Sequence, residues 1–428
     1  MSSRIQDKAT LKVALFPYIP DSGEDNYKGL LAFITKEFNQ VSPDIVLELR
    51  PINFDDNFYD LDTLTTWLMS NGSGYDIVEI DTVLLGDLVS AGVLAPQIIS
   101  STSQADWHDA ARMAVQMNNA IYGFPHLLCS FLLFTRDEQF TDVHIIDQLI
   151  SILGNMSTES YRLVGNLDSS WDLPALWMNS YQGSHDSASD VTAHALHASM
   201  KSSFENMHKF IELCNRSSNE NHCLDGTFRK YLDMPAILFA ENRSLTMFGY
   251  SERLFHVLKH SKSEDYDNIK IIPMPIGSLQ NTALFFTDAF VFRQNMSDDV
   301  LNGARLFVEF MATPRMQASI VASADKPNSI PRYLMPISMK AYDDPLLVKD
   351  TFYREYLRNL TGFSYPTVGF RNARKQIQEA ILDYIGYVKN DTSTSSSSMS
   401  LLYIQLGNNI LIHTLKLLPI LYIFSIYA

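Results

Sequence analysis

The first residue in this chain with chemistry to offer is Cys129, in the apolar run "YGFPHLLCSFLLF" of residues 122–134. An unpaired cysteine is among the most buried residue types and packs as a small hydrophobe, so taken alone the run reads as a core strand and its thiol as filler. The same thiol is a nucleophile if a base within hydrogen-bond reach, or a depressed pKa, supplies the thiolate. His126 is a base three residues away, but positions three apart on an extended strand face opposite sides, which argues against a Cys129–His126 dyad. The other two cysteines, Cys214 and Cys223, bracket the polar stretch "NRSSNENH". That stretch reads as a surface loop, which a short disulfide could close in an oxidising compartment, leaving Cys129 as the odd one out. No CxxC pair, HExxH or histidine-rich cluster occurs, so a metal site has no sequence support.

The elements that must hold such a thiol alternate in character. "LKVALFP", "IVLELRPI" and "YDIVEID" are apolar strand-like runs. They are separated by amphipathic stretches near residues 27–39 and 61–69, which is the order of a β–α–β unit with helices on both faces of the sheet. A further helix is expected over residues 83–91, ending at Gly92 as a left-handed cap. "AIYGFPHLLCSFLLFTR" reads as a turn and a long buried strand, about one third of the way along, where a crossover between lobes would fall. Residues 141–262 read as mainly helical, after which "NIKIIPMP" and "NTALFFTDAFVF" restore strand character. Ser297, followed by two acids, marks the start of a helix. No internal repeat is present.

At 428 residues with 46% hydrophobic content, the chain is long enough for more than one core and too apolar for disorder. A formal charge of −15 and a pI near 5.1 argue against nucleic acid and suit a cationic or neutral ligand.

Three segments, in order, resemble the thiaminase I (thiamine pyridinylase) family: "LKVALFPYIPD" at residues 11–21, "YGFPHLLCSFLLFTR" at 122–136 and "FGYSERLF" at 248–255. "YDIVEIDTVLLGDLVSAGVLAP" at 75–96 and "LFFTDAFVF" at 284–292 add to the match, which runs from about residue 11 to 388. The resemblance implies an α/β fold of two lobes, like the type II periplasmic solute-binding proteins, with a ligand cleft between them. Lobe 1 is then residues 10–122 with about 285–335, and lobe 2 residues 123–284 with about 336–388. The implied activity is base exchange on thiamine. A cysteine adds to the electron-poor pyrimidine, the thiazole leaves, and an amine, pyridine or thiol takes its place at the methylene. Thiamine is substrate, no cofactor is implied, and the related binding folds are monomers.

By this resemblance Cys129 is the nucleophile and Glu252, in "GYSE", the base that takes its proton; without it, Glu252 is an ordinary glutamate at a helix start. Asp81 and Asp288 match acidic positions suited to the thiazolium or the aminopyrimidine, although either alone reads as a turn or cap. Tyr18 and Tyr250 fall in the matched blocks, and Tyr59 and Tyr231 lie near further family tyrosines across gaps. Phe16 and Phe286 stand where the family pattern has tyrosine, which keeps a stacking face and loses a hydroxyl. A different class of reading remains, a solute-binding protein of the same fold that holds thiamine or its pyrimidine without chemistry.

The compartment signals conflict. N-x-S/T sequons at Asn71, Asn155, Asn215, Asn242, Asn295, Asn359 and Asn390 point to a secreted or cell-surface glycoprotein, while "MSSRIQDKATLK" carries no signal peptide. Residues 389–400 form a Ser-rich linker and residues 401–428 an apolar tail. Its longest uncharged part is shorter than the ~20 residues of a spanning helix. Linker and tail resemble a GPI-attachment signal, so a membrane is a partner only if that tail is an anchor rather than a gene-model artefact.

Overall fold

The apolar runs pair into one mixed sheet. The computed structural model describes residues 8–15, 19–53, 56–69, 74–155, 161–184, 201–217, 220–280, 282–359, 361–364 and 369–387. Tyr18 and Phe16, the Ser-rich linker and the apolar tail lie outside them. β1 (Ala9–Leu15) pairs in parallel with β2 (Ile45–Pro51) and with β3 (Ile77–Asp81), the β–α–β arrangement expected. The connecting helices Lys28–Val41 and Leu61–Met69 fall within two residues of the expected stretches. In the first, Leu30, Ile34 and Phe38 recur every four residues and are buried. Phe38 is fully enclosed, with the rings of Phe307 and Phe310 at 5.6 and 5.5 Å, so Phe38→Ala would cost about 3–5 kcal/mol. Gly92 follows the helix Leu85–Ser90 at φ 71°, the left-handed conformation expected there.

The short hairpin β4 (Gln116–Met117) and β5 (Ala120–Ile121) leads into β6 (Phe124–Thr135), the long strand that organises the molecule. Its first half pairs with β12 (Ala283–Phe292) and β13 (Met335–Pro336). Its second half pairs with β10 (Ser244–Tyr250) and β11 (Lys270–Pro273). β7 (Tyr161–Val164) extends the sheet beyond β10, and β14 (Gly362–Ser364) adds to β12. The order is β2-β1-β3-β12-β6-β10-β7, and the changeover between the two sets of partners falls at residues 130 and 131 of β6.

The described part of residues 141–262 is mainly helical, as expected, but β7, β10 and the hairpin β8 (Asn215–Ser217) with β9 (Glu220–Asn221) also lie there. "SLTMFGY" is a strand of seven residues between two helices, too short for periodicity to separate strand from buried helix. The helix Asp298–Met311 starts where Ser297 and its two acids place it, although the Ser297 side chain makes no capping hydrogen bond. Among the described residues, no helix is long and apolar enough to cross a membrane.

Candidate active site

β3, β6 and β12 are buried along their whole length except at one residue each, and those residues are Asp81, Cys129 and Asp288. Register brings the three together. Phe286 of β12 lies opposite Cys129 on one side, while Asp288 lies opposite Asp81 on the other. Because alternate residues share a face, Cys129, Phe286, Asp288, Asp81 and Glu79 all line one side of the sheet.

Glu252 arrives from the other half of β6. Tyr250, the last residue of β10, is opposite Phe131, and the Ser251 amide donates to the Ser130 carbonyl at 2.9 Å. Glu252 follows with helical backbone, and its carboxylate lies near enough to Cys129 to act on the thiol. The chain then turns into the helix Arg253–His260, and the Tyr356 hydroxyl holds the Ser251 carbonyl at 3.4 Å.

The electrostatics follow from these positions. Burial pushes the Cys129 thiol well above its ordinary range, and the carboxylates of Glu252, Asp288 and Asp81 push the same way. Left to itself the thiol therefore keeps its proton at neutral pH, and chemistry at sulfur needs a base. Burial raises Glu252 to about 7, against its own backbone N–H, Arg253 and the Ser251 hydroxyl, while the charge of Asp172 adds to the rise. A carboxyl titrating there can both take and return a proton at neutral pH. Burial likewise raises Asp81 to about 6, opposed by the Val83 amide at 3.0 Å and the Tyr59 hydroxyl at 3.0 Å. Asp81 is thus both the cap it reads as in sequence and an acid open to the site. Asp288 is raised well above the carboxylate range by burial, then by Glu79, Asp81 and Glu252.

Aromatic rings frame these groups. Tyr250 stacks on Phe131 at 4.3 Å, meets Phe286 edge-on at 5.2 Å and donates its hydroxyl to Asp172 at 3.0 Å. Tyr59 packs against Phe58 and Trp171, each at 4.8 Å, and the Arg374 guanidinium lies over Trp171 at 3.9 Å. Arg371, from the same helix Phe370–Tyr384, donates to the Tyr59 carbonyl at 3.4 Å.

Tyr231 stands apart from this description. It follows the turn of helix Thr227–Lys230, with the Lys230 ammonium 5.3 Å from its ring. The polar stretch between Cys214 and Cys223 carries the β8–β9 hairpin. The two cysteines flank that hairpin as buried free thiols, and burial, with Cys214 beside it, pushes the Cys223 thiol up. His126 departs from simple alternation because β6 carries a bulge. Asp288 is opposite Leu127 and Ala289 opposite Pro125, which leaves His126 as the extra residue. Its Nδ1 is hydrogen-bonded to Glu79, so its partner is an acid of β3.

Glu79, Trp171, Asp172 and Tyr356 belong to the site and were not singled out from sequence. Ser169 ahead of Asp172 and Pro174 after it signal a helix start, and the Asp172 amide does donate to Ser169 Oγ at 2.8 Å. Nothing local, however, places that acid next to Tyr250.

A scan against models of known protein families gives no match. The chain is 22% identical over 348 residues to thiaminase-1 of Paenibacillus thiaminolyticus, covering 78% of this chain and 77% of that protein. Among solved structures it is similar to Clostridium botulinum thiaminase I in complex with thiamin, with a TM-score of 0.68 and 17% identity over 88% of this chain and 100% of that one. An ABC transporter solute-binding protein of Thermotoga lettingae, bound with alpha-D-tagatose, has a TM-score of 0.63 and 15% identity, covering 89% of this chain and 95% of that one. The fold is therefore the two-lobed, type II periplasmic-binding-like α/β fold that was expected, and the resemblance to thiaminase I extends over both sequence and fold.

Proposed function

We propose that this protein cleaves thiamine by base exchange, as a thiamine pyridinylase with Cys129 as nucleophile and Glu252 as general base. Similarity to thiaminase I in sequence and fold supports the thiamine-directed activity. The observation that carries the assignment of residues is that three buried strands each open at a single position, and those positions are a thiol and two acids with Glu252 beside them. A protein that only holds a ligand needs neither thiol nor base.

In this reading Glu252 takes the Cys129 proton and the thiolate adds to the pyrimidine ring. The C–N bond to the thiazole breaks and the thiazole leaves. An amine, pyridine or thiol then forms a bond at the same methylene, after which the Cys129–ring bond breaks and Glu252 returns the proton to sulfur. Asp81 and Asp288, with the faces of Tyr250 and Phe286, receive the thiazolium and the aminopyrimidine; a desolvated acidic and aromatic wall attracts such a cation. Phe286 supplies stacking alone. We place the lobes at residues 10–122 with about 285–335 and 123–284 with about 336–388, closing on the ligand to exclude water.

The test is to mix the chain with thiamine, with and without aniline, and to follow thiazole release and intact protein mass, with Cys129→Ser in parallel. Release that depends on Cys129 and accelerates with aniline is the expected result. Thiamine binding with neither release nor adduct would overturn the proposal in favour of a solute-binding protein.

A further inference from the structure

Among the buried acid–base pairs that the mechanism does not use is Glu79 with His126. Glu79 and His126 are 5% and 3% exposed, and His126 Nδ1 is hydrogen-bonded to Glu79 Oε1. Several features single this pair out. His126 occupies the bulge of β6, where strand alternation is broken, and its ring lies 4.7 Å from that of Phe290, the residue opposite Glu79. The bulge is pinned from behind: Gln317, itself fully buried, donates to the His126 carbonyl at 2.7 Å and accepts from the Ser338 amide at 3.0 Å. The second ring nitrogen, Nε2, is buried with no hydrogen-bond partner. A buried histidine with one nitrogen unpaired and a buried acid on the other is costly in a plain core.

Position gives the pair something to act on. Glu79 is two residues before Asp81 on the same face, and it is the diagonal neighbour of Asp288 across the β3–β12 register, at roughly 7–8 Å between Cα atoms. The groups that face Asp288 are Asp81 and Glu79 from β3, Cys129 from β6 and Glu252 ahead of the helix Arg253–His260. His126, bonded to Glu79, is the basic group tied into this set.

We propose that His126 holds Glu79 as a positioning residue behind the site, so that the Glu79 carboxylate biases Asp288 toward meeting a ligand as a hydrogen-bond donor and away from meeting it as a carboxylate. Burial favours the protonated Asp288 and the Glu79 carboxylate adds to it, so that Asp288 offers a donor to a ring nitrogen and Asp81 is left as the acid that answers a cation. The inference rests on the proposed function only in taking Asp288 to face the ligand.

The test reads Asp288 without any ligand. Carboxyl-carbon NMR titration, with Asp288→Asn to assign the resonance, is compared between the unaltered protein and Glu79→Gln. Removing one negative charge at this separation should lower the Asp288 midpoint by about one pH unit. The pH profile of thiamine KM should move by the same amount. An unchanged midpoint in folded Glu79→Gln overturns the inference, because a merely structural pair would alter stability and leave the titration in place. Should Glu79→Gln fail to fold, the double variant Glu79→Gln, His126→Gln keeps a hydrogen-bonded pair without the charge and must lower the midpoint likewise; no movement overturns the inference equally. If the unaltered protein turns over no thiamine, the proposed function falls while the titration still decides this point.

Discussion

Replacing Glu252 by Gln should make Cys129 more reactive toward a simple reagent while making the enzyme worse. Glu252 follows β10 directly, and its charge is the foremost of the three carboxylates that raise the Cys129 thiol. Over the ~5–8 Å at which neighbouring side chains on one face of a sheet meet, a unit charge at an effective dielectric near 20 amounts to roughly 2–3 kcal/mol, or about two pH units. Partial solvation at an open site reduces this to about one unit. At pH 8 a Glu252 titrating at about 7 is mostly ionised, so Glu252→Gln relieves most of that repulsion. Alkylation of Cys129 by iodoacetamide, followed by peptide mass mapping, should then accelerate up to about tenfold. At pH 5 the native Glu252 is itself protonated, and the two proteins should react alike. Thiamine turnover at pH 8 should fall by about 10² to 10⁴, the usual contribution of a general base. Equal or slower alkylation of the variant at pH 8, or turnover within a few-fold of native, would refute the reasoning.

Other outcomes follow from the same geometry. The folded-state titrations of Asp81 and Glu252 are raised, from 3.8 to about 6 and from 4.5 to about 7, so native stability is lost as pH rises through these ranges. Asp81→Asn should therefore raise the melting temperature at pH 8 and leave it unchanged near pH 4, as read by calorimetry. Trp171→Ala removes the ring that backs Tyr59, whose hydroxyl bond keeps Asp81 from rising further. Thiamine KM should increase about fivefold, from ~1 kcal/mol of stacking, and its acid limb should move to higher pH. Mild oxidation should convert the neighbouring thiols Cys214 and Cys223 to a disulfide, seen as the loss of two hydrogens in intact mass and a stabilisation of about 2–3 kcal/mol in denaturant titration.

Much of the frame was legible because it is written in local patterns. The helix Lys28–Val41 repeats an apolar residue every fourth position, and β12 is a long apolar run broken by one acid. The acids and the thiol of the site were reached through motif resemblance, and Tyr59 reached Asp81 even though its alignment needed gaps. What escaped depends on contacts distant in sequence. Asp172 matters because Tyr250, 78 positions later, bonds to it. Glu79 and His126 meet across 47 positions, and the bulge that turns His126 toward β3 is a property of pairing with β12. β10 was hidden for a simpler reason, since seven residues with an interior glycine carry too little period to identify.

The changeover of partners along β6 gives the molecule an axle. The strand is stitched to β12 and β13 below residue 131 and to β10 and β11 from there on, and Cys129 lies two residues from the join. When two jaws swing about an axle, points near it travel short arcs and points at the rim long ones. Were the proposed lobes to swing about it, Cys129 and Glu252 would move little, while Tyr59 and Trp171, which meet by ring contact and not by strand pairing, would be free to part. On the proposed function, admission of a substrate and alignment of the reacting groups would then be assigned to different radii of the same motion.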